Sequence, residues 1–177
     1  MNSKKDKNGR PILRLKLSGL DVAMELFGWL ILIGLWVLVF INFQDLPETI
    51  PIHFNAAGKA DGFGNKWNML TLPIVASVLY IGMTILNKYP HVFNYPTEVL
   101  TEENALKNYT MATRLLRVLK LVLVIIFSLI VFRTIQNING TAEGLGVWFL
   151  PLTLGMIFIP MTYYIIKSIK LGKTKTK

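Results

Sequence analysis

Apolar residues along this chain fall in long uninterrupted blocks, without the spacing of an amphipathic helix or the alternation of a half-buried strand. Uncharged blocks cover residues 26–44, 67–87 and 144–166. Each block is close to the roughly 20 residues that an α-helix needs to cross about 30 Å of hydrocarbon. The pattern therefore predicts membrane-spanning helices over 22–44, 67–87 and 146–166.

A further apolar block is shorter, because charged residues bound it closely. Its uncharged part covers only 121–132, between Lys120 and Arg133. Extending it to 115–136 gives a full crossing if Arg117, Lys120 and Arg133 reach the two membrane interfaces with their long side chains. We therefore expect four spans, of which this third one is the weakest by hydropathy.

The basic residues indicate how these spans are oriented. Lys and Arg gather in the tails, 1–21 and 167–177, and in the loop 88–114 with the adjoining turn of the third span. The connections 45–66 and 137–145 and their flanks hold only three, namely Lys59, Lys66 and Arg133. Because Lys and Arg accumulate on the cytoplasmic side, this alternation predicts a multi-pass plasma (inner) membrane protein with both termini in the cytoplasm.

Composition removes several functional classes. The formal net charge is +9, but the basic residues border the apolar blocks, which favours contact with anionic lipid over nucleic acid. The chain has no cysteine, which excludes disulfides and thiol chemistry. No ionisable residue lies at a predicted midplane, which argues against a channel or a proton-coupled pump. We predict a lipid bilayer as partner, and neither nucleic acid nor a cofactor.

The loop 88–114 contains the start of a long helix. Thr101 suits an N-cap, and Glu102 and Glu103 suit the first turn. We expect one helix of about 34 residues, near 50 Å long, which continues into the third span. An apolar stripe follows the N-cap, formed by Ala105, Tyr109, Ala112, Leu116 and Leu119.

This predicted arm has two interpretations. It is either a solvated helical extension, which we favour because apolar stripes usually serve intramolecular packing, or a docking surface for a protein partner. Arg114, Arg117 and Lys120 recur every three residues where the helix enters the membrane, and they are the candidate basic cytoplasmic face.

The connection 45–66 is the most distinctive stretch of the chain. Pro47 and Pro51 constrain its backbone, and residues 50–54 suit a short strand. Three turn signals follow, at Ala57-Gly58, Asp61-Gly62 and Gly64. Loops of this length are often functional. The fold class is therefore an all-α membrane protein with four transmembrane helices and a small strand-and-turn external loop between helices 1 and 2.

Chemistry in this loop would depend on His53, Asn55 and Asp61. His53 and Asp61 suit zinc, but zinc sites usually have three or four protein ligands. We therefore predict no metal. A metal-dependent membrane enzyme is the less favoured alternative. In the simpler interpretation His53 caps a turn or faces lipid head groups, and Asp61 with Gly62 forms an Asx-type turn.

The same loop resembles the domain of unknown function 1648 family of bacterial membrane proteins, which has an LPxxIPxHFNxxGxxDxxGxK sequence between two spans. The resemblance covers about 45 residues, from the middle of the first span into the second. The family has no assigned reaction, and one relative protects sporulating cells from their own secreted toxin. The resemblance marks these residues as a possible binding motif: Pro47, Pro51, His53, Phe54, Asn55, Gly58, Asp61, Gly62, Gly64 and Lys66.

No catalytic set stands out in the sequence, so we do not predict an enzyme. The favoured function is a binding, signalling or immunity-type membrane protein whose external loop engages an extracellular peptide or a membrane protein. The alternative is an accessory subunit of a membrane complex. The sequence leaves the oligomeric state open.

Overall fold

The structure is a computed structural model, and it describes residues 4–95 and 100–173. Parts of three predicted segments lie outside these residues. They are residues 1–3 of the tail 1–21, residues 96–99 of the loop 88–114, which include Pro96, and residues 174–177 of the basic tail 167–177, which include Lys175 and Lys177.

Four helices of the described chain are long and apolar enough to cross a membrane. They are α1 (Gly19–Asn42), α2 (Thr71–Leu86), α3 (Glu102–Ile138) and α4 (Phe149–Lys173). The predicted all-α fold class with four such helices is therefore confirmed. Of the four, α3 contains the stretch of highest mean hydropathy, and α4 has the lowest. The prediction that the third span is the weakest is wrong, because the short block 121–132 is intensely apolar.

Side-chain caps fix where α1 and α3 begin. Ser18 and Asp21 form a capping box at the start of α1, in which each side chain binds the other residue's backbone N–H. The Thr101 hydroxyl accepts from the backbone N–H of Asn104, so the predicted N-cap of α3 is confirmed. Helix α3 has 37 residues, and at 1.5 Å per residue it is about 55 Å long.

Helix α3 lies at the centre of the bundle and packs against α1, α2 and α4. The core includes Leu35 of α1, Tyr80 of α2 and Val124 of α3. Tyr80 approaches α1 at Gly28, where an added Cβ would overlap the Tyr80 hydroxyl group. By contrast, no residue of the most apolar stretch of α4 is buried within the chain.

The connection between α1 and α2 is an antiparallel β-hairpin. Strand β1 (Thr49–Phe54) pairs with β2 (Ala60–Asn65), with a register shift between Pro51 and His53. Ile50 is buried and joins the core of the bundle. The predicted strand-and-turn structure between helices 1 and 2 is confirmed.

The described part of the N-terminal tail is folded onto the bundle rather than free. Arg10 Nη1 donates hydrogen bonds to the carbonyls of His91 (2.9 Å) and Phe93 (2.8 Å), in the connection between α2 and α3. The Tyr109 hydroxyl donates to the carbonyl of Pro11 at 3.1 Å. Residues at the start of the predicted apolar stripe, Ala105, Tyr109 and Ala112, are buried within the chain. The stripe therefore serves intramolecular packing at this end.

Candidate functional site

The turn of the hairpin is held by Asn55. Its side-chain Oδ1 accepts hydrogen bonds from the backbone N–H groups of Ala57 (3.0 Å) and Lys59 (3.1 Å). Asn55 N–H donates to the Lys59 carbonyl at 2.9 Å. The Asx-type turn therefore belongs to Asn55, and its assignment to Asp61 is wrong, because Asp61 lies within β2.

Gly58 joins the turn to the connection between α3 and α4. Its φ of +76° is in the left-handed region, which favours glycine. Leu145 N–H donates to the Gly58 carbonyl at 2.7 Å. A Cβ on Gly58 would lie 2.5 Å from the carbonyl oxygen of Gly146. The close backbone contact fixes the hairpin to the connecting loop.

The other motif glycines make room for β1 side chains. A Cβ on Gly62 would lie 2.9 Å from the Cβ of His53, which is its partner across the sheet. A Cβ on Gly64 would lie 2.7 Å from Cδ1 of Ile52. A larger side chain at Gly62 would require β1 to shift, whereas at Gly64 the exposed Ile52 side chain would have to turn away.

Lys66 closes the base of the hairpin. Its ammonium lies 2.9 Å from a carboxylate oxygen of Glu48, and its backbone N–H donates to the Glu48 carbonyl at 3.0 Å. The ammonium also lies 6.0 Å from the centre of the Phe43 ring. Of the other motif residues, Pro51 is buried, Phe54 is half-buried and Pro47 is exposed.

His53 and Asp61 are paired on the surface of the hairpin. Nδ1 of His53 lies 2.5 Å from Oδ1 of Asp61, and the two side chains are 71% and 42% exposed. Asn55, the remaining metal-ligand candidate, is used in the turn. Among residues 4–95 and 100–173, no three His, Cys, Asp or Glu side chains lie close enough to hold a metal ion.

At the end of α1 away from the hairpin, two acidic residues, three basic residues and two hydroxyl residues form what we call the ion-pair cluster (Ser18, Asp21, Glu25, Thr84, Arg114, Arg117 and Lys120). Glu25 accepts hydrogen bonds from Arg117 Nε (3.1 Å) and Lys120 Nζ (2.6 Å). Lys120 also donates to the Thr84 hydroxyl at 2.7 Å and lies 4.5 Å from the centre of the Tyr80 ring. The cluster therefore ties α1, α2 and α3 together.

Arg114 extends the cluster towards the start of α1. Its guanidinium donates to both carboxylate oxygens of Asp21, at 3.0 and 3.1 Å, and to the Ser18 hydroxyl at 3.2 Å. This two-point geometry is the strong form of an Arg–carboxylate contact. The same carboxylate thus caps its own helix and binds α3.

Two of the three residues of the predicted basic cytoplasmic face are buried. Arg117 is 6% exposed and Lys120 is fully buried, because both pair with Glu25 of α1, whereas the side chain of Arg114 is 43% exposed. Sequence reasoning missed the cluster, although one signal was present. Asp21 and Glu25 are one helical turn apart, a spacing that complements the basic residues of α3.

The connection between α2 and α3 covers the same end of the bundle. The Tyr95 hydroxyl donates to the Pro90 carbonyl at 2.8 Å, and its ring packs against that of Tyr109 with centres 5.3 Å apart. Burial raises the pKa of the Tyr95 hydroxyl above its ordinary value, so the group stays a neutral donor.

Residues 30–76 match the family described as Domain of unknown function (DUF1648). The resemblance to this family is confirmed. The DUF1648 segment runs from the middle of α1 through the hairpin into α2, and it includes every hairpin residue of the motif.

Comparison with a relative and with solved structures assigns no activity to the chain. The chain is 33% identical over 96 residues to an uncharacterized protein of Archaeoglobus fulgidus. That match covers 50% of this chain and 46% of the relative, so the chain spans about half the length of the relative it matches. No solved structure matches the chain.

Proposed function

We propose that this multi-pass protein lies in the cell membrane with both termini in the cytoplasm, and that its hairpin binds an extended peptide or protein segment outside. The alternating Lys and Arg content of the connections supports the orientation. The hairpin follows the end of α1, whereas the ion-pair cluster lies at its start. The two features therefore belong to opposite ends of the bundle.

The observation that carries the proposal is an apolar surface on a tightly held hairpin. Phe63 is 61% exposed and Ile52 is 49% exposed, although neither belongs to a helix. Trp67 and Val147 are exposed near the same end of the bundle. Large exposed apolar side chains on a rigid scaffold are typical of binding sites. A partner buries their apolar surface, and a rigid scaffold loses little conformational entropy on binding.

The hairpin also offers backbone groups. Within the described residues its sheet has only β1 and β2, so each strand has an edge without a strand partner. An extended peptide can add to such an edge through main-chain hydrogen bonds, while side chains set specificity. On β2, the exposed Asp61, Phe63 and Asn65 alternate, and the His53–Asp61 pair adds polar groups beside Phe63.

A photocrosslinking amino acid at Phe63 tests this proposal in living cells. We expect a protein adduct of discrete mass after irradiation. Thr141 is the matched control, since it is exposed in the connection between α3 and α4 and should give no such adduct. Absence of an adduct at position 63, or the same adducts at both positions, would contradict the proposal.

Immunity is a narrower form of the proposal, and only the family resemblance supports it. It predicts that a toxin-sensitive bacterium survives a secreted peptide toxin when it expresses this chain, and that the change Phe63→Asp abolishes survival. Lack of protection would remove the immunity role, while the crosslinking result would still decide whether the hairpin binds a partner.

The exposure of α4 favours a second candidate, an accessory subunit of a larger membrane assembly. This helix packs mainly on α3, and its most apolar stretch has no residue buried within the chain. In this case α4 packs against another membrane protein. A purified protein that is a lone monomer in mild detergent, without a co-purifying partner, would count against this candidate.

A further inference from the structure

A cavity of about 600 Å³ lies beside the ion-pair cluster, where the N-terminal segment passes the first turns of α1, the end of α2 and the middle of α3. Its polar lining consists of Arg14, Glu25, Thr84, Asn87, Lys88 and Arg117. The remaining wall is largely apolar and comes from the N-terminal segment, including Leu13 and Leu15. The cavity therefore combines basic and apolar surfaces at one end of the helical bundle.

The buried charges next to this cavity do not balance. Arg117 and Lys120 are both buried, and both bind one carboxylate, that of Glu25. Two cations on one anion leave one positive charge. An uncompensated buried charge is costly, so an anion close to Arg117 would be stabilised. Arg117 lines the cavity, which places this excess charge in its wall.

Two further cations line the cavity. Arg14 and Lys88 are exposed, and neither forms an ion pair with an acidic residue of the described chain. The wall also contains Asn87, whose side-chain oxygen and nitrogen are buried without a hydrogen-bond partner. A buried amide without partners costs free energy that an added acceptor recovers in part.

We propose that this cavity binds the phosphate group of one anionic phospholipid. A phosphate diester carries the missing negative charge, and its oxygens match the donors of Arg14, Lys88 and Arg117. The leucines of the N-terminal segment cover the glycerol and the start of the acyl chains. The cavity lies near the start of α1 and the end of α2, two helices that are long and apolar enough to cross a membrane, and basic residues meet head groups at such helix ends.

Native mass spectrometry of the full-length protein in detergent tests the proposal. We expect one phosphatidylglycerol molecule to stay bound when phosphatidylcholine at the same concentration does not. The double variant Arg14→Gln/Lys88→Gln should lower phosphatidylglycerol retention by about tenfold, since each basic residue contributes to the binding of anionic lipid.

The matched control is Lys16→Gln/Lys59→Gln, which removes the same charge from two exposed lysines outside the cavity. This control should keep the bound lipid. Equal retention of the two lipids, or equal loss in the two double variants, would overturn the proposal.

A second arm separates a lipid from a soluble phosphate. Phosphatidylglycerol should raise the unfolding temperature of the parent protein more than that of the Arg14→Gln/Lys88→Gln variant, whereas millimolar inorganic phosphate should raise neither. If inorganic phosphate stabilises the parent protein as strongly as the lipid does, the assignment to a lipid is overturned.

Discussion

Lys120 of α3 donates a hydrogen bond to Glu25 of α1 over 2.6 Å, although both residues lie in helices that are apolar enough to cross a membrane. Lys120 is fully buried and also binds Thr84 of α2. A charged residue inside a membrane protein is tolerated when it is paired and faces the bundle interior. The pair therefore links three helices at one end of the bundle.

Removing the carboxylate of Glu25 should lower the free energy of unfolding more than removing an exposed carboxylate does. Glu25→Gln leaves Arg117 and Lys120 buried without a carboxylate, and breaking a buried pair in this way costs about 3–5 kcal/mol. Unfolding in mixed micelles measures the loss. Glu103→Gln is the control, since the Glu103–Lys107 pair is exposed at 3.7 Å and should contribute about 0.5 kcal/mol. Similar losses for the two variants would contradict the role given to the cluster.

The contact between Gly58 and the connection after α3 makes a second prediction. Gly58→Ala should destabilise the protein by about 1–3 kcal/mol, because its φ is positive and its Cβ would meet Gly146. Gly34→Ala, in α1, is the matched control, since nothing lies within 4 Å of the added Cβ, and it should be neutral or stabilising by up to about 1 kcal/mol.

Thiol labelling reports the same contact directly. The chain has no cysteine, so Leu145→Cys supplies a single thiol at a buried site. Maleimide should label it slowly in the parent background and faster in the Gly58→Ala background. Unchanged labelling would show that the hairpin does not depend on this contact.

The approach of Tyr80 to Gly28 predicts coupling between α1 and α2. Gly28→Ala should destabilise the bundle, because the new methyl group overlaps the Tyr80 ring and hydroxyl. Tyr80→Leu also costs stability, but it removes the overlapping atoms. The double variant should therefore lose less than the sum of the single variants, as a thermodynamic cycle of unfolding measures. Additive losses would show that the two residues do not interact.

The exposed His53–Asp61 pair should matter little for stability and should bind no stoichiometric metal. Asp61→Asn should shift the free energy of unfolding by less than about 1 kcal/mol, because exposed pairs contribute little. Elemental analysis of the purified protein should find no bound zinc. One zinc per chain that is lost in His53→Ala would favour the metal-dependent enzyme instead.

The spans and the hairpin could be predicted because their signals are local. Uncharged blocks mark the helices, Thr101 marks the start of α3, and Ala57-Gly58 marks the turn of the hairpin whatever the remainder of the chain does. The turns expected at Asp61-Gly62 and Gly64 are wrong, because these residues lie within β2. The sequence favours Asp61 for the Asx turn because Asp-Gly and Asn-containing turns look alike in sequence. Only the strand register separates Asp61, opposite β1, from Asn55 in the turn.

The ion-pair cluster could not be predicted in the same way, because it depends on which helices are neighbours. Arg117 and Lys120 at the edge of a span suit lipid head groups just as well when no partner helix is known. The folded N-terminal segment depends on tertiary contacts too, since Arg10 binds carbonyls about 80 residues away. Backbone carbonyls leave no pattern in a sequence.

Labelling of single cysteines in intact cells tests the central claim that the hairpin lies outside and the start of α3 inside. Phe63→Cys, on the exposed face of β2, should react with a membrane-impermeant maleimide added to intact cells. Lys107→Cys, on the exposed side of α3, should react only after the membrane is permeabilised. Protection of position 63 together with labelling of position 107 in intact cells would contradict the account.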